Sequence, residues 1–416
     1  MKNSFLNMLI PLIRGLSFDG EKGRYIKYEK NPGKILQLKD KINELSRTGK
    51  LLNPPLTIEL SIDEESFLEK KYDIIKRLSQ DYQQYLKGHK YHPHIITLDN
   101  DMILFSGSNY QECLDTQKEP LTELMQVSVP QKSVSKPDYE ITCSVKGKII
   151  VVTGGAQGIG ACLVRNLVKM GAFLFVADIN REGAAKLVEE LNYLYDKKCA
   201  FAVSVDVTNE KSVQEMTEEI VRNTGGMDVF INNAGVLKAE SVKEMNFQDF
   251  QFVNKVNYFG YFLCTKHASR VMAWQNKGHS DYITDIIQIN SKSGLEGSYK
   301  NCAYAGSKFA GIGLTQSFAK ELLEDNIKVN AICPGNFFEG PLWSDPRNGL
   351  FVQYLKSGKV PGARNIDDVR QFYKSKIPVG RGCSCEDIVK AVLYVIGQKY
   401  ETGQAIPVAG GQVMLR

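Results

Sequence analysis

Apolar runs and stretches with helical periodicity alternate from about residue 147 to the C-terminus. Strands that alternate with helices form βαβ units, and strands that are apolar throughout lie in sheets covered on both faces. The pattern therefore predicts an α/β fold, a doubly wound parallel sheet of the Rossmann type, over residues 147–416. Six short apolar runs have the pattern of its strands: Lys148–Thr153, Phe173–Asp178, Ala200–Asp206, Val229–Asn232, Ile286–Asn290 and Val329–Cys333.

The first 125 residues carry a weaker pattern. Pro32–Glu44 and Asp63–Lys87 have helical periodicity, and Ile95–Ser106 has the pattern of two short strands joined by a turn. The apolar run Phe5–Ile13 ends without a small-residue cleavage site, so we interpret it as the start of a buried strand or helix, not as a signal peptide. We expect residues 1–125 to form a small, non-catalytic α/β domain. Residues 126–146 are polar, contain two prolines and lack periodicity, which indicates a linker.

Composition excludes several classes of function. Lys and Arg number 52 against 47 Asp and Glu, a balance too even to indicate a nucleic-acid-binding protein. No apolar stretch reaches the roughly 18 residues of a membrane-spanning helix, so we expect no membrane partner. The nine cysteines are scattered without a CxxC pair, which predicts free thiols in a reducing cytoplasm. His92 and His94 share one face of an extended segment but lack a third ligand, so we predict no metal site.

A glycine-rich turn follows the first predicted strand of the larger domain. Thr153–Gly160 reads TGGAQGIG and leads into a predicted helix. Glycines in such a turn let the backbone approach a pyrophosphate, and the helix N-terminus offers N–H donors to that anion. Asp178 ends the second strand, where a carboxylate can bind both ribose hydroxyls of the adenosine and repel a 2′-phosphate. The predicted cofactor is therefore NAD, although the nearby Arg181 is a small argument for NADP.

Three motifs in order resemble the signatures of short-chain dehydrogenases/reductases. They are Gly154–Gly160, Asn232–Gly235 and Tyr304–Lys308, which match TGxxxGxG, NNAG and YxxxK. The resemblance covers about residues 145–416. It implies that Asp206 and Val207 lie near the adenine ring and that the chain is a homo-oligomer, a dimer or tetramer. The predicted cofactor contacts are Gly154, Gln157, Gly158, Ile159, Gly160, Asp178, Asp206, Val207, Asn233, Ala234, Gly235, Tyr304, Lys308, Pro334 and Gly335.

The resemblance also implies a catalytic set of four residues. Ser291 lies 13 residues before Tyr304 and three before a glycine, as the family pattern requires, whereas Ser293 fits neither spacing. Hydride transfer from an alcohol needs a base, and a lysine one helical turn after Tyr304 favours the phenolate. We therefore predict Tyr304 as acid/base, Lys308 as the group that lowers its pKa, and Ser291 as the donor to the substrate oxygen. The fourth residue, Asn257, is implied to hold a water that links Lys308 to solvent.

A longer resemblance concerns the substrate. The segments Ile286–Gly294 and Gly311–Ser317 are similar to the sorbitol-6-phosphate 2-dehydrogenase branch of the family. Its phosphate would need cations, for which Lys292, Lys300 and Arg381 are candidates. The alternatives are a dehydrogenase for a free polyol or a 3-oxoacyl substrate, a bifunctional aldolase–dehydrogenase, and a non-catalytic NAD-binding scaffold. The aldolase alternative arises because parts of residues 10–112 faintly resemble the later part of a class II aldolase/adducin domain.

Overall fold

The computed structural model describes residues 3–47, 54–60, 64–99, 102–118 and 145–414. The chain divides into two compact units. Unit 1 comprises Met1–Thr142, Glu218–Met227 and Arg270–Tyr282, and unit 2 comprises Cys143–Thr217, Asp228–Ser269 and Ile283–Arg416. The predicted linker at residues 126–146 lies outside the described residues up to position 144. Unit 1 thus includes two pieces of chain from beyond that linker.

Unit 1 contains a four-stranded sheet with helices. The predicted helix at Pro32–Glu44 and the two strands at Ile95–Ser106 are confirmed, while the predicted helix at Asp63–Lys87 is divided at Lys70. The strand order is β1-β4-β3-β2, in which only the β2–β3 pair is parallel. The elements are α1 (Asn3–Leu16), β1 (Tyr25–Glu29), α2 (Pro32–Arg47), β2 (Leu56–Ile58), α3 (Glu64–Glu69), α4 (Lys71–His89), β3 (Ile95–Leu98), β4 (Met102–Gly107) and α5 (Tyr110–Lys118).

Helix α1 is buried along most of its length inside unit 1. Its Phe5 ring packs edge-on against Phe67 of α3, and the Phe67 ring in turn lies 5.4 Å from that of Trp274. A side chain at Gly15 would clash with the Gln275 carbonyl oxygen, so only glycine allows this approach of the two backbones. The apolar run Phe5–Ile13 therefore belongs to a core helix that packs on the Arg270–Tyr282 piece of the chain.

Unit 2 contains a seven-stranded parallel sheet in the order β11-β10-β9-β8-β5-β6-β7. The order reverses between β5 and β8, and in such sheets ligands bind in the crevice at the carboxyl ends of the strands near the reversal. The predicted doubly wound α/β fold is confirmed. The strands are β5 (Ile149–Thr153), β6 (Phe173–Asp178), β7 (Ala200–Ser204), β8 (Val229–Asn232), β9 (Thr284–Ile289), β10 (Ile327–Pro334) and β11 (Ala405–Val408).

The helices of unit 2 cover its sheet, and two of them, α8 and α10, continue into the segments assigned to unit 1. A π-helical turn at Lys255–Phe259 joins α9 to α10, and short 3₁₀ turns occupy Lys292–Gly294 and Leu323–Asp325. The helices are α6 (Gly158–Lys169), α7 (Arg181–Leu194), α8 (Glu210–Thr224), α9 (Phe247–Asn254), α10 (Gly260–Asn276), α11 (Cys302–Leu322), α12 (Pro341–Ser344), α13 (Leu350–Lys356), α14 (Ile366–Ser375) and α15 (Cys385–Gly397). Among the described helices, none is long and apolar enough to cross a membrane.

Two of the cysteines are not free thiols, contrary to the prediction. Cys162 on α6 and Cys385 at the start of α15 form a disulfide, with their Cα atoms 5.9 Å apart. The side-by-side packing of α6 and α15 brings the two cysteines within disulfide range. Their separation of 223 residues gives no local sequence signal for the pair.

Candidate active site

The glycine-rich turn after β5 is shaped for close approach by a ligand. Gly154 and Gly158 have φ of 61° and 56°, a left-handed conformation that favours glycine. A Cβ on Gly154 would lie 2.9 Å from the Ala234 Cα, and one on Gly160 would clash with the Gly154 carbonyl. Helix α6 begins at Gly158, and its N-cap residue Gln157 makes no side-chain cap bond. The exposed start of the helix therefore fits an anionic group such as a pyrophosphate.

Hydrogen bonds connect the segment after β8 to the glycine-rich turn. The Asn233 side-chain amide donates to the carbonyl oxygens of Thr153 and Gly154, each at 2.9 Å. The Ala234 amide donates to the Thr153 hydroxyl at 3.2 Å. The predicted cofactor residues Asn233, Ala234 and Gly235 thus lie beside the glycine-rich turn in one strand-end crevice.

Asp178 is buried at the end of β6 and faces the same turn. One carboxylate oxygen accepts from the Ala156 amide at 2.9 Å and the other from the Asn180 amide at 2.8 Å. The N-cap of α7 is Asn180, whose side chain accepts from Gly183. Asp178 is therefore not the helix cap. Its carboxylate lies against the turn, where a ribose bound there would meet it.

Asp206 and Val207 follow β7. Asp206 accepts hydrogen bonds from the amide and hydroxyl of Thr208, at 2.9 and 2.8 Å. Val207 is buried and packs so closely on Gly260 that a Cβ there would lie 2.9 Å from its Cγ2. Val207 thus offers an apolar surface of the kind that an adenine ring needs.

Tyr304 lies on α11 and contacts Ser291 at the end of β9. The hydrogen bond with Ser291 acts to lower the pKa of Tyr304, but burial is the larger effect and the pKa is raised. Ser291 also accepts from the Ser293 amide at 3.1 Å, while Ser293 itself is buried in the 3₁₀ turn. The structure therefore brings Ser291, the predicted serine, to the tyrosine.

Lys308 is buried one helical turn after Tyr304. Its ammonium donates to the Ile289 carbonyl at 2.9 Å and lies 5.6 Å from the centre of the Tyr304 ring. Burial lowers the pKa of Lys308 to about 8. The predicted lowering of the Tyr304 pKa by Lys308 is not the net effect in this structure, because desolvation of the phenol is the larger influence.

Asn257 lies in the π-helical turn and is hydrogen-bonded on both sides of its amide. Its oxygen accepts from the Val236 amide at 2.8 Å, and its nitrogen donates to the Val236 carbonyl at 2.9 Å and to the Ser307 hydroxyl at 3.0 Å. The side chain therefore joins the segment after β8 to α11. Both side-chain N–H groups are used in these bonds, so a water on the path from Lys308 would be held by the remaining lone pair of the side-chain oxygen or by the main chain.

Pro334 and Gly335 end β10 at the same edge of the sheet. The Gly335 amide donates to the Val408 carbonyl of β11 at 2.9 Å. A Cβ on Gly335 would lie 2.8 Å from the Gln412 side-chain oxygen, so the chain passes closely here. All the predicted cofactor and catalytic residues belong to unit 2 and to the strand ends or the helices that follow them.

Sequence reasoning missed an apolar cluster that packs against Tyr304. The clustering was invisible in the sequence because its residues come from the loop after β8 and from α12–α14, far apart in the chain. The Trp343 ring lies 5.1 Å from Phe351 and 5.2 Å from Tyr373. The buried members are Leu237, Trp343, Leu350, Phe351, Tyr354, Val360 and Val369.

Of the three cations predicted to bind the phosphate, Arg381 is paired with a carboxylate. Its guanidinium forms two hydrogen bonds with the Asp387 carboxylate, at 2.6 and 3.0 Å, beside the capping box that starts α15. Lys292 directly follows Ser291, and the Lys300 ammonium donates to the Ser357 carbonyl at 2.9 Å.

The two histidines considered for a metal site have other partners. His92 Nδ1 lies 3.0 Å from the Tyr82 hydroxyl, and His94 Nε2 lies 3.1 Å from a Glu112 carboxylate oxygen. Within the described ranges, no group of three or more His, Cys, Asp or Glu side chains has the arrangement of a metal site.

Comparisons with known proteins agree with this arrangement. The family model described as short chain dehydrogenase matches residues 148–343. Sorbitol-6-phosphate 2-dehydrogenase of Escherichia coli (strain K12) is 37% identical over 271 residues, which are 64% of this chain and 99% of that protein. The 3-oxoacyl-[acyl-carrier-protein] reductase FabG of Aquifex aeolicus (strain VF5) is 32% identical over 269 residues, which are 64% of this chain and 98% of the reductase.

Among solved structures, the sorbitol-6-phosphate 2-dehydrogenase SrlD from Erwinia amylovora is similar, with a TM-score of 0.59 and 35% identity. The likeness covers 64% of this chain and 100% of that structure. These three relatives share more than 30% identity with the chain and are matched over nearly their whole length. The strand order, the glycine-rich turn and the Ser291–Tyr304 contact agree with the family match. The chain therefore belongs to the short-chain dehydrogenase family.

Proposed function

We propose that this oxidoreductase transfers a hydride between NAD and a polyol phosphate, interconverting sorbitol 6-phosphate and fructose 6-phosphate. The observation that carries the proposal is the contact of Ser291 with Tyr304, one turn from the buried Lys308, at the strand ends beside a turn that fits a dinucleotide. The 37% identity to the dehydrogenase from Escherichia coli, over 99% of that protein, supports this substrate.

Each residue has a task set by its surroundings. The Tyr304 hydroxyl takes the proton from the substrate hydroxyl in oxidation and returns it in reduction, while Ser291 donates a hydrogen bond to the same oxygen. Burial raises the pKa of Tyr304, so loss of its proton needs a nearby positive charge. Lys308 supplies that charge from one helical turn away, held by the Ile289 carbonyl. When bound, the nicotinamide ring supplies the site that accepts or gives the hydride.

The proposed preference for NAD rests on Asp178. Family members typically bind a nicotinamide cofactor, and the Asp178 carboxylate lies against the turn that would hold the pyrophosphate. A 2′-phosphate would meet this negative charge at close range, while two ribose hydroxyls could donate to it. We expect the catalytic efficiency to be higher with NAD than with NADP. Asp178→Asn, which keeps an acceptor but removes the charge, should narrow the difference. A wild-type preference for NADP would contradict the proposal.

The substrate proposal is tested by NADH formation across a panel. The panel contains sorbitol 6-phosphate, other polyol phosphates and free polyols. A second assay measures the consumption of NADH or NADPH with a 3-oxoacyl thioester as the substrate. The reductase from Aquifex aeolicus is also similar, which makes 3-oxoacyl reduction the second candidate. Highest efficiency with sorbitol 6-phosphate would support the proposal, and highest efficiency with the thioester would replace it.

We also propose a homo-oligomer, supported by exposed phenyl rings on unit 2. Phe259, Phe262 and Phe309 are 51%, 44% and 46% exposed, on the π-helical turn, α10 and α11. Large exposed aromatic side chains are typical of protein interfaces. The double variant Phe262→Glu/Phe309→Glu should reduce the mass measured by light scattering. Tyr400→Glu, at a fully exposed position, is the control and should leave the mass unchanged. A monomeric wild-type protein would refute the proposal.

A further inference from the structure

Four lysines from four separate segments are linked to one another through Lys359, which lies on a ring of the apolar cluster. Lys292 opens the 3₁₀ turn after β9, Lys300 precedes α11, Lys359 follows α13, and Lys376 follows α14. Lys359 interacts electrostatically with each of the other three, and Lys292 interacts also with Lys376. We refer to Lys292, Lys300, Lys359 and Lys376 as the lysine cluster.

Contacts with aromatic rings and a helix end position three of these lysines. The Lys359 ammonium lies 4.0 Å from the centre of the Tyr354 ring, and the Lys376 ammonium lies 4.1 Å from the centre of the Phe372 ring. The Lys300 ammonium donates to the carbonyl of Ser357 at the end of α13. Lys300 also has a φ of 50°, which is unusual for a lysine and costs about 1 kcal/mol or more. A strained residue held in this way is typical of a functional site.

The charges of the lysine cluster are not neutralised by ion pairs with carboxylates. Over the described part of the chain, no ion pair within 4.0 Å involves any of its four members. Burial is the largest influence on the pKa of Lys292 and lowers it; Glu296 opposes burial, and Lys376 adds a smaller lowering influence. Burial, followed by the charges of Lys292, Lys376 and Lys300, lowers the pKa of Lys359 to about 8. Bringing four ammonium groups together without a carboxylate paired to any of them is unfavourable unless an anion binds among them.

The lysine cluster borders the reacting groups. Lys292 follows Ser291 directly, and the ring under Lys359 belongs to Tyr354, which interacts electrostatically with Tyr304. Tyr304 packs against the apolar cluster to which Tyr354 belongs. An anion held by these lysines would thus be attached to a molecule whose other end can reach Ser291 and Tyr304.

We propose that the lysine cluster binds the phosphate group of the substrate and so selects phosphorylated polyols over free ones. The inference rests on the proposed function. A phosphate monoester dianion suits several ammonium groups, each of which donates charge-assisted hydrogen bonds without requiring planar geometry. Lys292, Lys300 and Lys359 are only partly exposed, which favours a small anion within the site over the acidic surface of a carrier protein.

The experiment measures kcat and KM for sorbitol 6-phosphate in the wild type and in Lys359→Gln, Lys376→Gln and Lys359→Arg. We expect each Gln variant to raise KM tenfold or more, about the loss of one charge-assisted hydrogen bond, with kcat changed less than about twofold. Lys359→Arg keeps the positive charge, so its KM should stay close to the wild-type value. The control is Lys356→Gln, an exposed lysine on α13 that is not among the groups acting on Lys359. An unchanged KM in both Gln variants, or an equal rise in the control, would overturn the inference.

Binding of inorganic phosphate, followed by calorimetry, separates this inference from the proposed function. Wild-type protein should bind phosphate, and Lys359→Gln should bind it at least tenfold more weakly. If the wild type binds phosphate in this way but does not oxidise sorbitol 6-phosphate, phosphate binding by the lysine cluster is supported and the proposed function is refuted. If it oxidises sorbitol 6-phosphate and phosphate affinity is equal in all variants, the proposed function is supported, and the proposal that the lysine cluster binds phosphate is refuted. Turnover of a carrier-bound thioester without phosphate binding would contradict both.

Discussion

Replacing Asn257 with alanine separates two roles for this residue. The resemblance to the family implies a water held by Asn257, whereas the structure shows a side chain that joins Val236 to Ser307. Alanine would remove three hydrogen bonds and leave the π-helical turn in place. If the side chain mainly positions the segment after β8, the variant should lose stability and cofactor affinity together with activity.

The size of the effect follows from the three contacts. Each hydrogen bond contributes about 1 kcal/mol net, and an unsatisfied buried group costs about 1–3 kcal/mol. Val236 is only partly buried, so water can satisfy its main-chain groups, and the lower value applies to them. We therefore expect the free energy of unfolding to fall by about 3 kcal/mol. At about 2.1 cal/mol/K per residue, this corresponds to roughly 5 °C in the melting temperature of a domain the size of unit 2.

The assay combines thermal unfolding, NADH binding by fluorescence, and steady-state kinetics. Asn254→Ala is the matched control, because Asn254 lies one turn earlier and its amide donates only locally, to the Phe250 carbonyl. We expect Asn257→Ala to lower the melting temperature, weaken NADH binding and reduce kcat, and the control to change none of them by much. A collapse of kcat with stability and NADH binding intact would refute the positioning role and favour direct participation in proton transfer.

Three further predictions concern other parts of the molecule. Tyr304→Phe should reduce kcat by about 10²–10⁴ and leave NADH affinity near the wild-type value, so retention of a tenth of the activity would contradict its role. Burial acts to raise the pKa of Glu112, but the hydrogen bond with His94 and other contacts hold it at about 2, below the ordinary 4.5. This stabilisation, up to about 3 kcal/mol, is present above pH 4.5 and is lost as the pH falls towards 2. Glu112→Gln should therefore reduce the change in the free energy of unfolding between pH 4.5 and pH 2, measured by denaturation at several pH values. Phe67→Ala should lower the free energy of unfolding by about 3–5 kcal/mol, followed by the fluorescence of Trp274 in a Trp343→Phe background, and a loss below 1 kcal/mol would contradict the packing of α1 and α3.

The sequence predicted the strands of unit 2 well because most of them are short runs rich in apolar residues. Phe173–Asp178 and Val229–Asn232 have the predicted bounds, and the other four predicted strands differ only at their ends. The seventh strand, β11, was not predicted, since it has four half-buried residues and includes Pro407. Proline is tolerated there because β11 lies at an edge of the sheet.

The candidate site was predictable where its residues are close in the sequence. The glycine-rich turn and the pair Tyr304 and Lys308 carry their spacing within a few residues, so local geometry determines their relation. The lysine cluster depends on the packing of α13 and α14, which no local periodicity encodes. The same holds for the Cys162–Cys385 disulfide and for the inclusion of Arg270–Tyr282 in unit 1. Long-range contacts of this kind need the fold before they can be recognised.

The π-helical turn at Lys255–Phe259 makes the number of residues between α9 and α10 as important as their identity. The Gly260 amide donates a hydrogen bond to the Lys255 carbonyl, five residues earlier, so this turn contains one residue more than an α-helical turn. One residue corresponds to about 100° of helical rotation. Deleting any residue of the turn would therefore rotate α10 relative to α9, and Asn257 could not face Val236 while Tyr261 still reached Thr315. We expect homologues to tolerate substitutions at the exposed positions of this segment but neither insertions nor deletions.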